Sequence, residues 1–320
     1  MTSEFDLIRQ YFSRPAPQAV LGVGDDCALL QPTPGMLLAV SMDTLVAGVH
    51  FFADADPALL GWKSLAVNLS DLAAMGATPR WATLALTVPV CDAGWLAAYA
   101  DGLYRCAAQY GINLVGGDTT RGALSITLSV IGEVPVGAAL RRDGAQPGDT
   151  VWVSGCLGDA AFALAAMQGQ VALSEADFAT LAARLHTPAP RVDLGLALRQ
   201  VASSAIDISD GLLADLGHIL TRSQSGAVLD YPQLPVSAIV RRLATHPLFD
   251  HCLLAGGDDY ELCFTAAASA EGAILAIGQQ LDLRLTAIGR ISATSGGLQL
   301  RAADGQLMAV GEAGYDHFAS

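Results

Sequence analysis

The chain has 320 residues, of which 52% are hydrophobic and 15% charged, a composition that can bury a sizeable core and excludes a disordered segment or a small disulfide scaffold. Lys and Arg number 17 against 31 Asp and Glu, a formal charge of −14, so a nucleic-acid backbone is disfavoured as a partner. The one lysine, Lys63, sits in Gly61-Trp62-Lys63-Ser64, which lacks the glycine-rich lead of a phosphate-binding P-loop.

In chain order, Ser3-Glu4-Phe5-Asp6 reads as a capping box opening a short helix to Phe12, after which Pro15 and Pro17 break the chain. Met36 to Met42 is an apolar strand ending at Asp43. Asp56 can cap a helix with Pro57 in its first turn, running to Met75 and closed by Gly76. On that helix Ser64, Asn68, Asp71 and Met75 share one face, where an acid needs a partner. Trp81 to Val88 reads as a strand, Asp92 to Tyr110 as a helix stopped by Gly111, and Ile112 to Val115 and Leu124 to Val134 as strands. The stretch 137–149, with Gly137, Gly144, Pro147 and Gly148, is the expected linker between domains 1–136 and 150–320.

Beyond it, strands are expected at Thr150 to Ser154, Ser204 to Ile208, Glu261 to Thr265 and Leu285 to Arg290. Helices are expected at Gly158 to Met167, Glu175 to Leu185, Arg191 to Val201, Asp210 to Thr221 and about Ala270 to Leu281. Both halves are therefore α/β with mixed sheets. A short echo links Val115-Gly116-Gly117-Asp118 with Ala255-Gly256-Gly257-Asp258.

The opening MTSEFDLIRQYF lacks the basic-then-apolar pattern of a signal peptide, and no uncharged stretch is long enough to span a bilayer. The six cysteines contain no C-x-x-C pair, so they read as reduced thiols of a cytoplasmic protein.

The acids are lopsided, 25 Asp to 6 Glu. Five segments put Asp beside Gly or at an element end: Asp25-Asp26, Asp43, Asp71, Asp118, and Asp207 with Asp210. Each can be a helix cap or a turn. Carboxylates from separate segments can also converge on a divalent ion, and oxygen-only ligands suit Mg²⁺ or Ca²⁺ better than zinc. Mg²⁺ usually shares its shell with phosphate oxygens, and Gly22-Val23-Gly24 and Gly116-Gly117 read as loops whose amides a phosphate can approach. Arg121, Arg141 and Arg142 could neutralise phosphate charge, and His50, among apolar neighbours, reads alone as a backbone-bonded histidine. No G-x-S-x-G elbow or cysteine nucleophile motif is present.

Taken in order, GVGDDCALL, SMDTLVAGVHFF, AVNLSDLAAMGATP, LVGGDTTRG, SAIDISDGLLADLGHI, GGDDYELCF and GYDHF resemble the thiamine-monophosphate kinase family, within the aminoimidazole ribonucleotide synthetase-like superfamily, from about Phe5 to Phe318. The resemblance implies a two-domain fold whose N-terminal domain binds ATP and Mg²⁺ and forms a β-barrel across a homodimer. It implies ATP-dependent phosphorylation of thiamine monophosphate by direct in-line transfer, with ATP as co-substrate and several Mg²⁺ ions. The positions it implies for metal are Asp26, Ser41, Met42, Asp43, Asp71, Asp118, Asp207 and Asp210, with Asp43, Asp71, Asp118 and Asp210 catalytic. Those for nucleotide are Gly117, Asp118, Arg142 and Ser209, and those for thiamine phosphate are His50, Asp258 and Tyr315. Met42 stands where relatives often carry Thr and could offer only its backbone carbonyl, while Asp258 replaces a more usual Glu and shortens its reach by a methylene. The rival readings are another ATP-using enzyme of the superfamily, which would close a ring instead, and a noncatalytic Mg-nucleotide-binding module.

Overall fold

The structure, a computed structural model, describes residues 4–293 and 297–308. The chain divides into two compact units, one of residues 1–72 and 77–137 and the other of 73–76 and 138–320. Residues 138–149 belong to the second unit and bury Leu140 and Ala145.

The first unit contains α1 (Glu4–Leu7), continued by a wide helical turn over Ile8–Phe12, then β1 (Met36–Val46), α2 (Pro57–Ala74), β2 (Thr78–Val88), α3 (Ala93–Tyr110), β3 (Asn113–Arg121) and β4 (Ser125–Pro135). Its sheet has the order β1-β4-β2-β3, with β2 and β3 parallel and the other neighbours antiparallel. The two long helices start and stop for local reasons. Asp56 Oδ1 accepts from the amides of Ala58 (2.8 Å) and Leu59 (3.0 Å), and Pro57 sits where no helical amide partner is needed. Asp92 caps α3 by accepting from Trp95 N at 2.8 Å, and Gly111 ends it in the left-handed conformation. Leu65, Leu69 and Leu72 of α2, Leu96, Tyr99 and Leu103 of α3, and Leu84, Leu86, Ile126 and Leu128 of the sheet are all buried. That burial is the main stabilising term, at roughly 1.5–3 kcal/mol for each large apolar side chain.

β1 is longer than its apolar run suggests. It continues through Asp43 because every residue from Met36 to Val46 has a partner on β4. β3 is extended likewise: Gly116, Gly117 and Asp118 pair with Thr83, Leu84 and Ala85, and an irregularity between Ala82 and Thr83 leaves Val115 as an extra residue. The Gly-Gly-Asp segment, expected as a loop, is an edge strand.

The second unit comprises β5 (Thr150–Ser154), α4 (Asp159–Met167), α5 (Glu175–His186), α6 (Val192–Leu198), β6 (Ser204–Asp207), α7 (Leu212–Ser223), β7 (Gly226–Asp230), α8 (Ala238–Arg242), α9 (Phe249–Leu254), β8 (Leu262–Ala266), α10 (Glu271–Gln280), β9 (Leu285–Ser292), β10 (Leu298–Arg301) and β11 (Leu307–Met308). The strand order is β11-β10-β7-β9-β5-β8-β6, antiparallel except for β7 with β10. β5 and β8 are buried along their whole length, which requires cover on both faces. Val151, Val153, Ile206, Leu216, Ile219 and Leu229 belong to one core cluster, and Phe162, Leu181, Leu185 and Val240 to another. Among the described residues no helix is long and apolar enough to cross a membrane.

Candidate active site

In the first unit the polar face of α2 meets β1. Ser41 Oγ donates a short hydrogen bond to Asp71 Oδ2, and Asp43 N donates to Asn68 Oδ1 at 3.0 Å. Asn68 in turn donates through Nδ2 to Ser64 O at 3.0 Å, and Ser64 Oγ lies 3.0 Å from the hydroxyl of buried Tyr99. The Ser64, Asn68, Asp71 spacing read from the sequence therefore becomes one polar column between helix and strand, with Asn68 1% exposed and bonded through both its oxygen and its nitrogen. Met42, the next position, points the other way and is 63% exposed.

Asp118 is exposed on β3. The pairing Asp43–Leu128, Leu128–Leu84 and Leu84–Gly117 sets Asp118 near the level of Asp43 but three strands away, about 14 Å at the usual strand spacing. Gly117 is obligatory there. Its φ is +149°, and a Cβ would lie 1.9 Å from Leu84 O. Asp26 is exposed in the segment before β1, and its amide donates to Asp25 Oδ1 at 2.9 Å. His50 is half-buried in the turn after β1, and its Nδ1 accepts from Val46 N at 3.0 Å, which places the proton of the neutral ring on Nε2.

In the second unit Asp207, 4% exposed, ends β6, and Ser209-Asp210-Gly211 leads into α7. The amides of Ser209, Asp210 and Gly211 all donate to Asp215 Oδ2, at 3.0, 3.0 and 3.1 Å. Burial pushes the Asp215 carboxyl up to about 7, against the pull of these amides. The segment 255–261 runs beside this loop. Asp258 N donates to Ser209 O at 2.9 Å, Tyr260 N to Ile208 O at 2.8 Å, and Ile208 N to Glu261 O at 2.8 Å. Gly257 permits the approach, since a Cβ there would lie 2.4 Å from Ser209 O. Asp258 is held at φ +68° and accepts from Tyr260 Oη at 3.1 Å. Arg191 grips Glu261 with both Nε and Nη2, and Ser154 Oγ donates to the same carboxylate at 2.6 Å.

Of the three arginines singled out from the sequence, Arg141 is paired with Asp143, while Arg142 is exposed and forms no ion pair among the described residues. Arg121 is exposed at the end of β3. Tyr315 lies outside the described residues. Among the described residues no group of three or more His, Cys, Asp or Glu is gathered closely enough to hold a metal ion by itself. The donors offered within each unit are nevertheless hard oxygens, Asp43 and Asp71 in the first and Asp207 and Asp210 in the second, a donor type that suits Mg²⁺.

Sequence reasoning found Asn68 and Asp71 but missed Asp215, Glu261 and Arg191. For Asp215 the only signal was an acid four residues after Gly211 at a helix start, and for the Arg191–Glu261 pair there was none.

Mixed sheets in two α/β units, carboxylates at strand ends and a Gly-Gly-Asp edge strand define a protein of the aminoimidazole ribonucleotide synthetase-related class. Residues 24–134 match the family model of the AIR synthase related protein, N-terminal domain. The chain is 48% identical over 322 aligned residues to the thiamine-monophosphate kinase of Salmonella typhimurium, covering 99% of this chain and 98% of that one. A crystal structure of thiamine-monophosphate kinase from Stenotrophomonas maltophilia superposes with a TM-score of 0.84 at 50% identity, over 91% of this chain and 93% of that one. A structure of AaThiL complexed with AMPPCP and TMP gives a TM-score of 0.79 at 29% identity, over 90% and 89%. The chain belongs to the thiamine-monophosphate kinase family.

Proposed function

We propose that the protein transfers the γ-phosphoryl group of ATP to thiamine monophosphate, yielding thiamine diphosphate and ADP. The observation that carries this reading is near-full-length similarity, at 48% identity, to a thiamine-monophosphate kinase, with the AMPPCP- and TMP-bound relative sharing the fold.

The chemistry fits the residues. The attacking atom is already a phosphate oxygen, so no strong base is needed, and catalysis becomes alignment and neutralisation of charge. Mg²⁺, if held by the carboxylates of the candidate site, would supply that neutralisation of phosphate charge. Asp26, Ser41, Met42, Asp43, Asp71, Asp118, Asp207 and Asp210 are the proposed metal positions, and Asp43, Asp71, Asp118 and Asp210 those nearest the chemistry. Ser41 orients the Asp71 carboxylate by its hydrogen bond, and Asn68 fixes the backbone of Asp43. Gly117, Asp118, Arg142 and Ser209 are proposed to contact nucleotide. Arg142 is suited because, unlike Arg141, it has no acid partner among the described residues. His50, Asp258 and Tyr315 are proposed to bind thiamine phosphate. The His50 ring is held in place by the bond from Val46 N to its Nδ1.

The same reading assigns residues 1–136 to ATP, Mg²⁺ and dimerisation and 150–320 to the C-terminal domain. A homodimer is supported by β1, a sheet edge on which Leu38, Val40 and Met42 are 46%, 66% and 63% exposed on one face. Six free cysteines support a cytoplasmic location.

The test is a coupled ADP-release assay with ATP, Mg²⁺ and thiamine monophosphate, with the thiamine product identified by chromatography. Thiamine diphosphate formed one-for-one with ADP is the expected result. ADP without thiamine diphosphate, or neither product, would overturn the assignment.

A further inference from the structure

Three consecutive amides turned toward one point at the start of a helix make a ready anion site, the arrangement that elsewhere holds a phosphate. Here the amides of Ser209, Asp210 and Gly211 precede the twelve-residue helix α7, and the point is filled by the chain's own Asp215 Oδ2 at 3.0 to 3.1 Å. Asp215 is 3% exposed, and its own amide donates back to Gly211 O at 3.0 Å, so side chain and backbone close on the same loop. Ser209 is held from the other side as well, its carbonyl accepting from Asp258 N at 2.9 Å.

We propose that Asp215 is a positioning residue of the active site: by occupying the amide nest it sets the direction in which Ser209 and Asp210 leave the loop, and it denies those amides to phosphate. The proposal rests on the reading of Asp207, Ser209 and Asp210 as metal and nucleotide contacts. At this loop phosphate would then be met by side chains, and by any ion the carboxylates hold, and not by the three amides. Asp215 is buried and its Oδ2 is taken by the three amides, so its proposed role is to orient the loop and not to contact ligand.

The decisive variant is Asp215→Asn, which keeps the size and one acceptor oxygen but weakens the charge-assisted bonds to the three amides. Calorimetric titration of the purified full chain with AMPPCP in excess Mg²⁺ should show affinity falling by about 10-fold, the usual scale for loss of a group that orients metal ligands. Hydrogen exchange at the amides of residues 209–211 should accelerate in the protein without ligand. In steady-state assays the half-saturating Mg²⁺ and the KM for ATP should rise, while the KM for thiamine monophosphate stays within about twofold of the parent value. A merely structural role would lower the folded fraction and kcat and leave these affinities alone. Asp210→Asn is the control for the underlying reading. If Asp210→Asn weakens Mg²⁺–AMPPCP binding and Asp215→Asn, folded by circular dichroism, does not, the positioning role is overturned while the site stands. If Asp210→Asn has no effect, the loop is not a metal site, and both fall.

Discussion

A few carboxylates, and the side chains that hold them, define the candidate site. Asp71 projects from α2 toward β1, where Ser41 Oγ donates to it, and Asp43 is fixed through Asn68. Replacing Asp43 or Asp71 by Ala should reduce kcat/KM by at least ~100-fold, a scale set by loss of transition-state charge stabilisation, with the melting temperature little changed. Near-normal turnover in folded Asp43→Ala or Asp71→Ala protein would contradict their assignment. Ser41→Ala should cost about 10-fold, through disorientation of Asp71 and not its loss. The Asn68–Asp71 face was legible because helical periodicity alone puts the two side chains together. Asp215 was not, because its partners are backbone amides, which leave no residue-type signature.

At the element scale, the first sheet is tied by Glu133 of β4, 2% exposed, which accepts from Thr33 N at 2.6 Å, Thr33 Oγ1 at 2.8 Å and Arg80 Nε of β2 at 2.9 Å. Burial alone would raise this carboxyl, but Thr33 and Arg80 together hold it below the usual range. A depressed folded value stabilises the protein above the unfolded pKa, near 4.3, and that stabilisation is lost as pH falls through the folded value. Glu133→Gln should therefore destabilise by about 1–3 kcal/mol at pH 7 in urea unfolding. Parent and variant should converge as the pH is lowered below about 4; a constant difference across that range would contradict the ion-pair account.

Helix ends were the most legible elements, since Asp56, Asp92 and Gly111 act locally as caps. Strand extents were less so: β1 and β3 run past their apolar cores because pairing with β4 and β2 continues. The echo of Val115–Asp118 and Ala255–Asp258 is a likeness of letters only, one being edge strand and the other a turn after α9 beside the Ser209 loop. Short strands such as β7, β10 and β11 carried no readable alternation, and only the long-range pairing β11-β10-β7-β9 defines them.

At the scale of the whole molecule, the α/β class with mixed sheets was readable from alternating elements, whereas strand order was not, because it depends on pairings between distant segments. The exposed apolar face of β1 belongs to this scale. If it is a dimer surface, Val40→Glu should leave the fold intact, Val40 being 66% exposed, yet convert a dimer to a monomer in size-exclusion chromatography with light scattering. A monomeric parent, or a dimeric variant, would contradict that use of β1.

The central claim, transfer of the γ-phosphoryl group of ATP to the phosphate of thiamine monophosphate, is tested most directly by following the group itself. ATP carrying heavy oxygen throughout its γ-phosphoryl group should give thiamine diphosphate whose terminal phosphoryl retains all the non-bridging label, with the bridging oxygen supplied by thiamine monophosphate, as read by mass spectrometry of the isolated product. Thiamine diphosphate without the label, or labelled inorganic phosphate in its place, would contradict it.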